Sequence, residues 1–108
     1  MQIVGQLNTK EALMNSNDMP IQKSEGAKQI EKLCYDIAVK LGLELEPVYW
    51  SFEFVKLPES ERHILNVKAK NGMTTEIRFT RIEIEACTTS PGREITQKKI
   101  RMELEGFL

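Results

Sequence analysis

Asn71-Gly72 separates two runs of alternating residues, and this constrains the fold more than any other feature. Before it, HILNVKAK (63–70) puts Leu65, Val67 and Ala69 on one side and Ile64, Asn66, Lys68 and Lys70 on the other. After it, Ile77 and Phe79 repeat the same two-residue spacing. Successive side chains of a strand point to opposite faces. Asn-Gly also suits the positive φ that both central positions of a type I′ turn require. The pattern therefore predicts an antiparallel hairpin.

A further strand precedes the hairpin. In residues 48–57 Trp50, Phe52 and Phe54 share one side, and Tyr49, Ser51, Glu53 and Val55 the other. Beyond the hairpin, residues 74–87 read as a long third strand with a slip in phase. Ile77 and Phe79 are odd, whereas Ile82, Ile84 and Ala86 are even. A β-bulge near Thr80-Arg81 would bring both sets to one face. TTSPG (88–92) then breaks the strand.

Helices flank these strands. Ala27, Ile30, Leu33, Cys34, Ile37, Ala38 and Leu41 form one apolar stripe, with Ser24 placed as N-cap and Gly42 as the terminating residue. Lys32–Asp36 and Asp36–Lys40 lie at ion-pair spacing on the opposite side. Residues 94–108 read as a second helix, with Ile100, Leu104, Phe107 and Leu108 inward. Upstream, Gln2–Leu7 suits a short strand, Asn8-x-x-Glu11 a helical turn and NSNDMP a break. Residues 1–23 are thus expected to be a flexible N-terminal arm, poorly ordered or a short helix, and 24–108 a single α+β domain. The expected architecture is a three-stranded antiparallel sheet with two helices packed on one face (αβββα).

Two functions suit the aromatic strand, which holds four of the chain's seven aromatic residues. Trp50, Phe52 and Phe54 are the natural core face, because the first helix offers a matching stripe; exposed, they would be a stacking platform for bases. Tyr49, on the other face, is available to a partner. No catalytic set accompanies them. His63 lacks a nucleophile and an orienting group at a telling spacing, and reads as a surface or structural residue. Glu83 and Glu85 read as a solvated strand face. Ser90-Pro91-Gly92 is a turn, not a phosphate loop. Cys34 and Cys87 read as thiols rather than a disulfide, and no metal-ligand spacing or cofactor motif occurs. The expectation is a protein that is not an enzyme and needs no cofactor.

Charge narrows the partner. Fifteen Lys/Arg against 16 Asp/Glu give a net charge of −1, which does not favour general coating of nucleic acid. Basic residues concentrate late, at Arg93, Lys98, Lys99 and Arg101. At the start of a helix, Lys98, Lys99 and Arg101 would join its free N–H groups in binding phosphate. No apolar run reaches the roughly 18 residues of a membrane span, and MQIVGQLNTKEALMNSND does not read as a signal peptide. A cytoplasmic location is expected.

Three stretches, with the αβββα order, resemble the double-stranded RNA-binding domain. LCYDIAVKLGL (33–43) is similar to the end of that family's first helix, ERHILNVKAKNG (61–72) to its loop, histidine and second strand, and QKKIR (97–101) to the basic start of its last helix. The resemblance implies recognition of A-form RNA by shape. It implies phosphate contacts from Lys98, Lys99 and Arg101, groove contacts from Arg62 and His63, and a sugar contact from Asp36. The chain departs from the family at Glu61-Arg62, where Gly-Pro is usual, and at Val39, Gln97 and Met102-Glu103-Leu104. A protein-interaction or assembly module, for example a homodimer formed through the open sheet face or an edge strand, is the alternative.

Overall fold

The computed structural model describes residues 20–53 and 61–108. A 3-10 turn, Pro20–Lys23, leads into helix α1, Glu25–Lys40. Ser24 caps α1, its hydroxyl accepting from the Ala27 N–H at 3.3 Å. Strands β1 (Tyr49–Glu53), β2 (Arg62–Lys68) and β3 (Thr74–Phe79) form an antiparallel sheet in that order. A short helix α2, Arg81–Ala86, and a long one, α3, Ser90–Glu105, complete the chain. The class is α+β, as expected, with three α-helices among the described residues rather than two.

The register aligns Phe52 with His63 and Phe79, and Trp50 with Leu65 and Ile77. One sheet face therefore carries Trp50, Phe52, His63, Leu65, Val67, Ile77 and Phe79 toward the helices. Ile30, Cys34 and Ile37 of α1, Ile84 of α2, and Ile100 and Leu104 of α3 are buried in the same core. Trp50 is half-buried against it, edge-on to Phe79 at 5.9 Å, and its indole N–H donates to Glu31 at 2.7 Å. Trp50 is thus a core residue and not a free stacking surface. Phe54 lies outside the described residues, as do the rest of the strand assigned to 48–57 and the readings placed on residues 1–19.

Four expectations are corrected. Residues 20–23 are docked on the domain rather than part of an arm, with Ile21 only 5% exposed in the core. The hairpin turn is not a two-residue type I′ turn. Gly72 N–H donates to Ala69 O at 2.9 Å, and Ala69 N–H to Met73 O at 2.8 Å. The loop therefore has three residues, and Gly72 takes the left-handed conformation, φ 98°. The Asn71 side chain accepts from the Met73 N–H at 2.9 Å, which fixes the last peptide of the turn.

The third strand ends at Phe79, and no bulge carries it on. Thr80 Oγ1 accepts from the Glu83 N–H at 3.1 Å, while Glu83 Oε1 accepts from the Thr80 N–H at 2.8 Å. This capping box satisfies two donors at once and starts α2 where alternation suggested more strand. Last, α3 begins at Ser90 rather than near residue 94. Thr89 caps it, and Pro91 sits in its first turn, where no N–H partner is needed. Its inner face is Thr96, Ile100 and Leu104, with Phe107 just beyond its end; Leu108 is 74% exposed.

Helix α2 packs hard against α1. A Cβ on Gly26 would lie 2.0 Å from the carbonyl oxygen of Ile84, so only glycine allows the two backbones to approach this closely. No helix among the described residues is long and apolar enough to cross a membrane.

Candidate functional site

Among the described residues, strand order β1-β2-β3 leaves one side of β3 without a neighbouring strand. The Ala69–Met73 hydrogen bond sets which main-chain groups are free. In an antiparallel ladder, hydrogen-bonded pairs alternate with non-bonded ones. Pairs 67–75, 65–77 and 63–79 lie in phase with 69–73, so Thr75, Ile77 and Phe79 direct their N–H and C=O groups at β2. Glu76 and Arg78 direct theirs away from the sheet.

A cleft of about 630 Å³ runs beside this edge. Strand β3 contributes Glu76, Ile77 and Arg78; α3 contributes Lys99 and Glu103; α2 contributes Glu83; Arg62 and Thr80 complete the lining. Charges of both signs alternate around it, and most are already matched. Lys99 Nζ lies 3.2 Å from Glu83 Oε2 and 4.7 Å above the centre of the Phe79 ring. Thr75 donates to Glu103 at 2.8 Å, tying α3 to β3. On the open face of the sheet, Arg78 forks between Glu53 and Glu76, each at 3.1 Å. Ile64, between Ser51 and Arg78 in the register, is 7% exposed although it lies on the face that carries no helix among the described residues. The paired carboxylates raise the pKa of Arg78, the Glu53 hydrogen bond contributing most.

The residues picked out for nucleic acid are scattered. Arg62 and Lys99 meet in the cleft. Lys98 and Arg101 lie on the solvent side of α3, and Arg101 pairs with Glu105 at 3.0 Å. Asp36 is on the outer side of α1, 3.9 Å from Lys32. Because α3 starts at Ser90, Lys98, Lys99 and Arg101 fall more than two turns inside it, so its N-terminal N–H groups do not join them.

His63 is fully buried and presents nothing to a groove. Gln22 Nε2 donates both to the Ser51 carbonyl at 3.1 Å and to His63 Nδ1 at 3.0 Å. A carbonyl accepts only from the amide nitrogen, so Nδ1 is the acceptor and the neutral ring carries its proton on Nε2. Nε2 has no partner among the described residues. Burial pushes the imidazole pKa below 6.5; nearby Arg81 acts the same way and Glu61 opposes. The signal was available in sequence, since His63 keeps the phase of Leu65 and Val67.

The cysteines are buried and unbridged. Burial raises the Cys34 thiol to about 12 and pushes Cys87 up as well, leaving both protonated and unreactive. Among the described residues no group of three or more His, Cys, Asp or Glu side chains could hold a metal ion. Tyr49, 65% exposed, borders a second depression of about 250 Å³ on the open sheet face, beside Asn66, Lys68, Thr74 and Glu76. No protein-family model, curated protein or solved structure matches this chain.

Proposed function

We propose that the chain is a small non-catalytic binding module whose partner is a protein, engaged as an extended strand laid along β3. The main-chain edge at Glu76 and Arg78, unpaired among the described residues and open to a cleft walled by α3, carries this reading. Strand addition draws affinity from backbone hydrogen bonds and selectivity from flanking side chains, and an edge strand beside a helix supplies both. The mixed charges of Arg62, Lys99, Glu83 and Glu103 suit a polypeptide of mixed charge better than a polyanion.

Selection of extended peptides from a random library tests it. Glu76→Pro removes one outward N–H and leaves the β2 ladder intact, as proline allows at an edge. Selected peptides should bind this variant at least about tenfold more weakly than wild type, the cost of an edge hydrogen bond and its neighbours. Peptides indifferent to Glu76→Pro would show that the edge is not the docking site.

Duplex RNA is the second reading. It is favoured by Lys98, exposed on α3 and, among the described residues, in no ion pair.

A further inference from the structure

We infer that the strand added to β3 is the β3 of a second copy of this chain, in the antiparallel register that sets Ile77 opposite Ile77. The inference rests on the strand-addition reading and names its occupant. The sequence of β3 is Thr-Thr-Glu-Ile-Arg-Phe, 74–79. Around Ile77 its charges are of opposite sign, Glu76 before and Arg78 after. A two-fold axis through Ile77 places Glu76 of each copy directly opposite Arg78 of the other. Directly opposed unlike charges stabilise a strand pair, and like charges destabilise it.

The backbone agrees with the same register. Glu76 and Arg78, with Thr74, direct their N–H and C=O groups outward. With Ile77 on the axis, each Glu76–Arg78 pair becomes a hydrogen-bonded pair, and Ile77–Ile77 the non-bonded pair between them. Neighbouring two-fold registers fail. An axis through Glu76 opposes two carboxylates, and one through Arg78 opposes two guanidinium groups. Edge strands are commonly guarded by like charge; here the charges set opposite a second copy are unlike. Because Arg78 already forks to Glu53 and Glu76 within the chain, the cross-copy pairs exchange partners. They select the register, while the backbone hydrogen bonds supply the affinity. Such a contact is self-complementary, as a two-fold interface requires. It would join the two sheets into one of six strands.

Sedimentation velocity over a concentration series tests the proposal with charge-swapped chains. Glu76→Arg opposes two arginines, and Arg78→Glu opposes two glutamates. Each alone should weaken self-association at least about tenfold relative to wild type. An equimolar mixture of the two variants should recover it, because each then faces its complement. The double variant Glu76→Arg/Arg78→Glu should recover it in a single chain. Circular dichroism and thermal midpoints confirm the fold of each; Glu76→Gln and Arg78→Gln, which remove charge without reversing it, replace any variant that does not fold and should weaken association less. A strictly monomeric wild type up to about millimolar concentration, single variants that associate like wild type, or a mixture that fails to recover would each overturn the proposal. If wild type is monomeric while library peptides still lose affinity for Glu76→Pro, self-pairing fails and strand addition stands. If the peptides are indifferent as well, both fail.

Discussion

Inside the sheet, His63 is held as a neutral ring between Phe52, at 5.2 Å, and the core, with Gln22 donating to it. Its folded pKa is below 6.5, so in acid the unfolded chain binds a proton that the folded chain does not. The contribution is complete above about pH 6.5, and it is lost as pH falls from there through the lowered value. Wild type should therefore lose denaturant resistance between pH 7.5 and 5.5. His63→Gln, which cannot titrate, should lose less over the same interval; equal losses would mean that the ring is not buried neutral. Lys98 and Lys99 differ in the same local way. Lys99 pairs with Glu83 and lies over Phe79, whereas Lys98 is in solvent. Lys99→Ala should cost about 1 kcal/mol in chemical denaturation, and Lys98→Ala should leave the midpoint in place.

Elements whose apolar pattern had one interpretation were legible. Helix α1 begins after Ser24, and Gly42 takes the left-handed φ of 76° just beyond it. The hairpin and the core face of β1 follow from alternation, although the turn's three-residue form does not. Helix α2 was hidden because Arg-Ile-Glu-Ile-Glu-Ala alternates like a strand, yet Ile82 is 76% exposed and only Ile84 is buried. Thr80-x-x-Glu83 was the readable sign, and Pro91 marked the start of α3. An element this short depends on its cap and its seat. Thr80→Ala should destabilise the fold by about 0.5–2 kcal/mol. Gly26→Ala should cost about 1–3 kcal/mol or more, because backbone faces backbone and no rotamer can relieve the contact. Thermal unfolding measures both, and a Gly26→Ala chain as stable as wild type would place α2 elsewhere.

Across the whole molecule, near-equal charge of both signs fits the interleaving of acid and base around the β3 cleft. The candidate site was legible only in its parts. Sequence picked out Arg62 and Lys99, but their meeting depends on how α3 lies along β3, and the free edge depends on strand order. A duplex RNA would have to displace Glu83 from Lys99 and Glu105 from Arg101 before gaining their charges. Each such exchange trades one ion pair for another, so little net attraction remains once salt screens it. Fluorescence anisotropy with labelled duplex RNA, at low and moderate salt, should accordingly show no steeply salt-dependent association. If such binding does appear, and Lys98→Ala/Arg101→Ala lowers its salt slope by about two, the outer side of α3 is a phosphate-binding face. The protein-strand reading would then yield to the RNA one.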